Sequence, residues 1–125
     1  MGTGYKGNAS YHRSIGQNLL LVSAEYGYSN GRFGTNSPHG KKDTRNIASG
    51  DNLATATDFY NKIAYGGIEQ VVNENLSITR MADGTIISMR KKSNSDDTPA
   101  IDINIKGSSG SAGIRNQKIH FTLEE

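Results

Sequence analysis

The segments LSITR (76–80), ADG (82–84) and TIISMR (85–90) decide the fold that this chain can adopt. Two further segments, AIDINI (100–105) and KIHFTL (118–123), follow after polar loops. Apolar and polar residues alternate in each of the longer segments, which predicts β-strands with one buried face. Asp83 and Gly84 tolerate the positive φ of a type I′ turn, so the first two strands are expected to form a hairpin.

The alternation also assigns the polar side chains of the last three strands to one face. The core-facing residues are Ile87, Met89, Ile101, Ile103, Ile105, Ile119, Phe121 and Leu123. If the strands form one antiparallel sheet, its exposed face carries Arg90, Asp102, Lys118 and His120. A sheet face with a cation, a carboxylate and a histidine is the best functional clue in the sequence.

Upstream of these strands the sequence predicts helical and irregular segments. Residues 17–28 favour a short helix because Leu, Ala, Glu and Gln predominate, whereas residues 29–50 are expected to form a long polar loop. Asp51 is the expected N-cap of a helix that ends at Gly66-Gly67, and a short strand is expected over residues 68–72. The apolar stripe of that helix is Leu53, Ala56, Phe59, Tyr60 and Ile63.

The amino-acid composition limits the classes of protein to which this chain can belong. The chain has 125 residues, enough for one compact domain, and its 34% hydrophobic content and 15 glycines indicate long loops. It has no Cys, which excludes disulfides and thiolate nucleophiles and favours final action in a reducing compartment. It has no apolar run long enough to span a membrane, and its first residues lack the basic and apolar segments of a signal peptide.

Charge is distributed unevenly along the chain. The formal net charge is +2, whereas residues 1–50 carry six basic and two acidic side chains, a net charge of +4. The basic residues of this part are Lys6, Arg13, Arg32, Lys41, Lys42 and Arg45. Such a basic half is compatible with a polyanionic partner such as nucleic acid, although a solvated, weakly basic surface is the alternative. We therefore expect a single α+β domain over residues 1–125, with a basic, loop-rich part (1–50) and a helix-plus-sheet core (51–125).

Several enzyme classes lack their motifs in this sequence. There is no GxxxxGK[ST] phosphate loop, no GxGxxG after a strand, no HExxH, no zinc-deaminase signature and no GxSxG elbow. His12, His39 and His120 show no metal-ligand spacing. No cofactor is therefore expected.

A metal-independent ribonuclease can be built from the residues that remain. It needs a base for the ribose 2′-OH, an acid for the leaving 5′-oxygen and cations for the phosphorane. Histidine can act as base or acid near neutral pH, Arg presents a fork to phosphate, and Asp102 could orient His120 or carry a proton. The predicted catalytic residues are His120, Arg90, Asp102, Lys118, Ser93 and Ser95. The predicted substrate-binding residues are Lys91, Lys92, Thr122, Lys41, Lys42 and Arg45.

Two other interpretations stay open at this point. The polar face can be an ordinary solvated surface, in which case the chain is a non-catalytic binding module such as an adhesin tip. Alternatively, Pro99, Asp102, Asn104 and Lys106 faintly resemble the Pro-Asp…(Asp/Glu)-x-Lys arrangement of metal-dependent DNases. Asn104 stands where the second acidic ligand would be, and one carboxylate is a poor Mg²⁺ site.

The order of short motifs in residues 51–123 resembles the C-terminal toxin domains of bacterial polymorphic toxins, including contact-dependent growth inhibition proteins and filamentous-haemagglutinin-like adhesins. These domains are similar to the barnase–EndoU–colicin–RelE group of ribonucleases. The resemblance is carried by Asp83-Gly84-Thr85, Arg90, Ser93, Ser95, Pro99, Ile101-Asp102-Ile103 and Lys118-Ile119-His120-Phe121. Relatives often show the order Gly-Pro-Thr-Ile-Asp-Ile, whereas this chain has Thr98-Pro99-Ala100, so a helper threonine is displaced or its role is lost.

The resemblance implies one or two N-terminal helices packed on a twisted antiparallel sheet of four to five strands, with the site on the open sheet face. It implies RNA cleavage, with transfer RNA as the expected substrate, and a cognate immunity protein, acidic and bound one-to-one, as the expected partner. It also implies export as the C-terminal part of a larger cell-surface protein and action in the cytoplasm of the target bacterium.

Overall fold

The computed structural model describes residues 13–37, 43–93, 97–107 and 110–124. A 3₁₀ turn (Gly16–Asn18) leads into the short helix α1 (Leu19–Val22), and the longer helix α2 spans Asn52–Ile63. The strands of the described residues are β1 (Tyr28–Ser29), β2 (Arg32–Phe33), β3 (Thr35–Asn36), β4 (Thr44–Ser49), β5 (Ile68–Val71), β6 (Leu76–Arg80), β7 (Ile86–Arg90), β8 (Ala100–Asn104) and β9 (Gln117–Leu123). Neither of these helices is long and apolar enough to cross a membrane.

Seven strands form one sheet in the order β3-β4-β9-β8-β7-β6-β5, and β1 pairs with β2 in a separate hairpin. Neighbouring strands are antiparallel except β4 and β9, which are parallel. The predicted α+β class is confirmed, but the predicted four to five strands are too few. The difference lies in residues 29–50, which add β3 and β4 to this sheet and β2 to the separate hairpin instead of forming one long loop. Strands of two residues are too short to show a periodic pattern, so the sequence could not reveal β2 and β3.

Helix α2 packs on one face of the sheet and supplies the centre of the core. The ring of Phe59 lies 5.2 Å from that of Tyr26, 5.0 Å from that of Phe33 and 5.7 Å from that of Phe121, measured between centroids. The Tyr26 and Phe33 contacts are edge-to-face, the arrangement that aromatic quadrupoles favour. This cluster joins α2 to both the N-terminal segments and strand β9.

The predicted N-cap of α2 is confirmed, but the helix ends at Ile63 with Ala64 as its C-cap, before the predicted end at Gly66-Gly67. One residue of its predicted apolar stripe was also wrongly placed. The Asp51 carboxylate accepts a hydrogen bond from the backbone nitrogen of Ala54 at 3.1 Å, which is the expected N-cap contact. Leu53 is 42% exposed and lines a surface depression with Asn75 and Lys92 instead of joining the core.

The predicted β6–β7 hairpin is confirmed, but its turn is not of type I′. Only Gly84 has a positive φ (+87°), whereas a type I′ turn requires a second residue with positive φ. The Asp83 carboxylate accepts hydrogen bonds from the backbone nitrogen and the hydroxyl of Thr85, at 3.3 and 2.9 Å. This local side-chain bonding stabilises a five-residue connection, residues 81–85, between the paired Arg80 and Ile86.

Candidate active site

The sheet face opposite α2, called the open face below, collects the residues that the alternation had placed together. One row across β7, β8 and β9 consists of Arg90, Ala100 and His120, and the next row consists of Ser88, Asp102 and Lys118. Directly paired residues share a face, so this register agrees with the face assignment made from the sequence. The open face therefore combines an imidazole, a guanidinium, a carboxylate and an ammonium group.

Ala100 separates Arg90 from His120 in the first row. Strands two apart in a sheet lie about 9.5 Å from each other. Ala100 is only 2% exposed, so other parts of the chain cover its methyl group and the space between the two functional side chains is not an open gap.

His120 is 7% exposed, so it is nearly covered instead of lying open on the face. Its Nδ1 lies 3.2 Å from the Oγ1 of Thr98. The Thr98 carbonyl accepts a hydrogen bond from the Ser93 nitrogen at 2.8 Å, and the Pro99 carbonyl accepts one from the Phe121 nitrogen at 2.9 Å. These bonds dock the loop before β8 onto β9 and hold the threonine hydroxyl at the imidazole. Thr98, the residue that departs from the sequence pattern of the relatives, therefore contacts His120.

Asp102 and Lys118 lie directly opposite each other in the second row, and Ser88 faces Asp102 from the other side. The ion pairs among the described residues include neither Asp102 nor Lys118. The cross-strand partner of Asp102 is thus Lys118 and not His120, which lies one row away. A depression of about 570 Å³ opens beside them. It is lined by Asp43, Thr44, Ile86, Ser88, Asp102, Ile103, Asn104, Asn116, Gln117 and Lys118.

The segment after β7 contains three further predicted site residues. Lys91 and Lys92 are exposed and line a separate depression of about 670 Å³. The side chain of Asn75 fixes this segment, since its Nδ2 donates to the Lys92 carbonyl at 3.0 Å and its Oδ1 accepts from the Lys92 nitrogen at 2.8 Å. Ser93 is buried and bonds the Thr98 carbonyl through its backbone nitrogen, so it supports the loop that carries Thr98. The two lysines lie at the end of the sheet that holds Arg90 and the His120 row.

Thr122 is half-buried on the open face, two residues beyond His120 and opposite Ala48 of β4. The remaining predicted site residues, Ser95, Lys41 and Lys42, lie outside the residues that the structure describes. The same holds for His12 and His39, the two other histidines of the chain.

Arg45 was predicted to bind substrate, and the structure gives it a different role. It is buried on the helix-covered face, where its Nε donates to the Phe33 carbonyl at 2.9 Å and its Nη2 to the Gly34 carbonyl at 2.8 Å. Its Nη1 donates to Oδ1 of Asn36. Burial, with the nearby charge of Arg32 as the second cause, lowers the pKa of Arg45. The guanidinium fastens the β2–β3 segment to the sheet, so Arg45 is not part of the open face.

Two residues at the open face were not predicted from the sequence, because they belong to the segment that was expected to form a loop. Asn46 is the neighbour of His120 through the parallel pairing of β4 with β9. Asp43 accepts a hydrogen bond from the Lys118 nitrogen at its backbone carbonyl, at 2.9 Å, and lines the depression beside Asp102. The signal for β4 is the alternation in TRNIAS (44–49), which contains a single large apolar residue, Ile47.

Within the part of the chain that the structure describes, no group of three or more His, Asp or Glu side chains is placed to hold a metal ion. No family model, no curated protein and no solved structure matches this chain.

Proposed function

We propose that this chain is a metal-independent endoribonuclease with its active site on the open face around His120. The observation that carries the proposal is the contact between His120 Nδ1 and Thr98 Oγ1. It lies on the face that also presents Arg90, Asp102 and Lys118. An oriented imidazole close to cationic groups is what cleavage by the ribose 2′-OH requires.

In the proposed reaction His120 takes the proton of the 2′-OH, and the 2′-oxygen attacks the adjacent phosphorus. The new bond joins that oxygen to phosphorus, and the bond from phosphorus to the 5′-oxygen breaks. Arg90 neutralises the charge that develops on the phosphorane, because its guanidinium fork matches two phosphate oxygens. The products are a 2′,3′-cyclic phosphate and a 5′-hydroxyl, whose proton comes from the acid described next.

Lys118 is the proposed general acid for the leaving 5′-oxygen. An ordinary lysine ammonium group carries a proton at neutral pH, whereas an ordinary carboxylate does not. Asp102, which lies opposite Lys118, balances its positive charge and keeps it on the open face. His120 and Lys118 exchange protons with solvent after each turnover, which restores the starting protonation state.

The cellular setting of the proposal rests on the sequence resemblance alone. We infer that the substrate is transfer RNA and that the domain is exported as the C-terminal part of a larger surface protein. It would then act as a growth-inhibition toxin in the cytoplasm of a neighbouring bacterium. A cognate immunity protein would neutralise it in a one-to-one complex, with acidic side chains covering the cationic groups of the open face.

The proposal is tested by incubating the purified domain with total bacterial RNA, and separately with plasmid DNA, each with and without EDTA. Discrete RNA fragments that persist in EDTA and end in a 2′,3′-cyclic phosphate are the expected result. DNA loss that EDTA abolishes would instead indicate a metal-dependent DNase around Asp102. If a folded, inhibitor-free preparation cleaves neither substrate, the chain is a binding module and the proposal is wrong.

A further inference from the structure

A third depression adjoins the open face and differs in its charge from the depression beside Asp102 and Lys118. It has a volume of about 590 Å³ and is called the Arg115 pocket below. Its lining residues are Arg32, Asp43, Ile105, Lys106, Gly107, Ser111, Gly113, Ile114, Arg115 and Asn116. Asp43 and Asn116 also line the depression beside Asp102 and Lys118, so the two depressions adjoin along these residues.

We propose that the Arg115 pocket binds a backbone phosphate of the RNA, at a distance from the phosphate that is cleaved. This inference rests on the proposed ribonuclease function and deepens it, because it assigns a substrate-binding site to residues that the sequence did not single out. Phosphate contacts of this kind position a nucleic acid without reading its sequence.

The charges of the Arg115 pocket favour an anion. Three cations, Arg32, Lys106 and Arg115, line it together with one carboxylate, that of Asp43. Arg32 neutralises this carboxylate, because its Nε lies 3.0 Å from the Asp43 Oδ1. Lys106 and Arg115 are exposed, and neither belongs to an ion pair among the described residues. Their two positive charges therefore remain for a ligand.

Asn116 adds a hydrogen-bond donor at the junction of the two depressions. Its Oδ1 accepts a hydrogen bond from the backbone nitrogen of Ile105 at 2.6 Å, which fixes the orientation of the side-chain amide. The amide nitrogen is then left to donate to a phosphate oxygen. The pocket thus offers neutral and charged donors together, as phosphate sites commonly do.

The backbone that carries Arg115 is held in place, so the guanidinium extends from a fixed point. The Arg115 nitrogen donates to the Gly31 carbonyl at 3.0 Å. The Gln117 Nε2 donates to the same carbonyl at 2.9 Å and to the Arg115 carbonyl at 2.8 Å. Gly31 has a φ of +84°, and a Cβ there would lie 2.4 Å from the Gly113 carbonyl oxygen. The tip of the β1–β2 hairpin therefore needs glycine to contact this segment so closely.

The position of the pocket relative to His120 fits an extended strand of RNA. Asn116 precedes His120 by four residues along an extended segment, a distance of about 13 Å. A phosphate at Asn116 and Arg115 is therefore not the one that His120 and Arg90 would act on. Lys118 lies between the two positions on β9, so cationic groups accompany the strand from the pocket to the catalytic row. This continuity favours RNA over an acidic protein surface as the ligand.

The test measures binding of a short 2′-O-methyl RNA, whose blocked 2′-oxygens prevent cleavage, by fluorescence anisotropy over a series of KCl concentrations. The variants are Lys106→Gln and Arg115→Gln. The control is Lys62→Gln, which removes the same charge from helix α2, where Lys62 pairs with Glu25 and Asp58. Each pocket variant should weaken binding roughly tenfold at low salt. The slope of log Kd against log salt should also decrease by about 0.7, the value for one lost phosphate contact on a single strand.

The outcomes separate this inference from the proposed function. If Lys106→Gln and Arg115→Gln bind with the affinity and salt slope of Lys62→Gln, the Arg115 pocket is not a phosphate site, whether or not the wild type cleaves RNA. If the wild type cleaves no RNA but the two pocket variants bind the oligomer more weakly, the Arg115 pocket is a phosphate site and the catalytic proposal is wrong. Thermal unfolding gives the melting temperature of each variant, and binding is measured well below the lowest of these temperatures.

Discussion

The Oγ1 of Thr98 lies 3.2 Å from the Nδ1 of His120, although the two residues belong to different segments of the chain. The contact depends on the docking of the loop before β8 onto β9, which the Pro99 carbonyl secures by accepting a hydrogen bond from the Phe121 nitrogen. A hydroxyl bonded to one ring nitrogen restricts the orientation of the imidazole ring. Thr98 is thus a positioning residue in the proposed site.

Replacing the Thr98 hydroxyl should slow cleavage without unfolding the domain. In Thr98→Val we expect kcat to fall roughly tenfold, the value of one lost hydrogen bond to the reacting side chain. Thr98→Ser should restore kcat, since it keeps the hydroxyl. A Thr98→Val enzyme with wild-type kcat would show that the contact has no part in the reaction.

His120→Ala and Arg90→Ala should fold normally and lose at least about a hundredfold in RNA cleavage, since they remove the proposed base and the charge that stabilises the phosphorane. Arg80→Ala is the matched control for Arg90. Arg80 is an exposed arginine of the neighbouring strand β6, opposite Ile86 at the other end of β7. Cleavage rates and melting temperatures are measured for all three variants. Full activity in His120→Ala or Arg90→Ala would show that the proposed active site is wrong.

Arg45→Gln should destabilise the fold while leaving the chemistry unchanged. The substitution removes the bonds to the carbonyls of Phe33 and Gly34, so we expect a loss of about 2–4 kcal/mol in the free energy of unfolding. Urea denaturation measures this loss, and RNA cleavage is assayed well below the unfolding midpoint. An unchanged midpoint together with weakened RNA binding would mean that Arg45 contacts the substrate after all.

Asp58 should make stability depend on acid pH. Its pKa is lowered from the usual value of 3.8, first by the hydrogen bond from the Tyr26 hydroxyl and further by Lys62, while burial acts in the opposite direction. A lowered folded-state pKa contributes stability above the unfolded-state pKa, and this contribution is lost as the pH falls through the folded-state pKa. We therefore expect the free energy of unfolding to decrease below about pH 4 in the wild type and to change less in Asp58→Asn. Urea titrations from pH 6 to 3 compare the two, and equal slopes would contradict the assignment.

Phe59→Ala should cost about 3–5 kcal/mol in the free energy of unfolding, because it removes the ring that joins Tyr26, Phe33 and Phe121 in the core. Leu53→Ala lies on the same helix but at a residue that is 42% exposed, so it should cost less than about 1 kcal/mol. Chemical denaturation of both variants measures the difference. Similar losses in the two would mean that the core is not centred on Phe59.

The strands of residues 76–123 and helix α2 were predictable because their signals are local. Alternation over five to seven residues identifies a strand and assigns its faces, and Asp51 with the stripe through Phe59 identifies a helix. The two-residue period of a strand also places Arg90, Asp102 and Lys118 on one face, because directly paired residues of antiparallel neighbours point to the same side of the sheet. These predictions required no knowledge of contacts between distant parts of the chain.

By itself, then, the sequence determined the α+β class, the hairpin of β6 with β7 and the shared face of Arg90, Asp102, Lys118 and His120. Only the tertiary structure decided that β4 pairs in parallel with β9, that Arg45 serves the fold and that Thr98 touches His120. The Arg115 pocket likewise depends on Gly31 meeting the chain near Arg115. Each of these contacts joins residues far apart in the sequence, and the period of a strand specifies which face a side chain takes but not which distant segment will lie beside it.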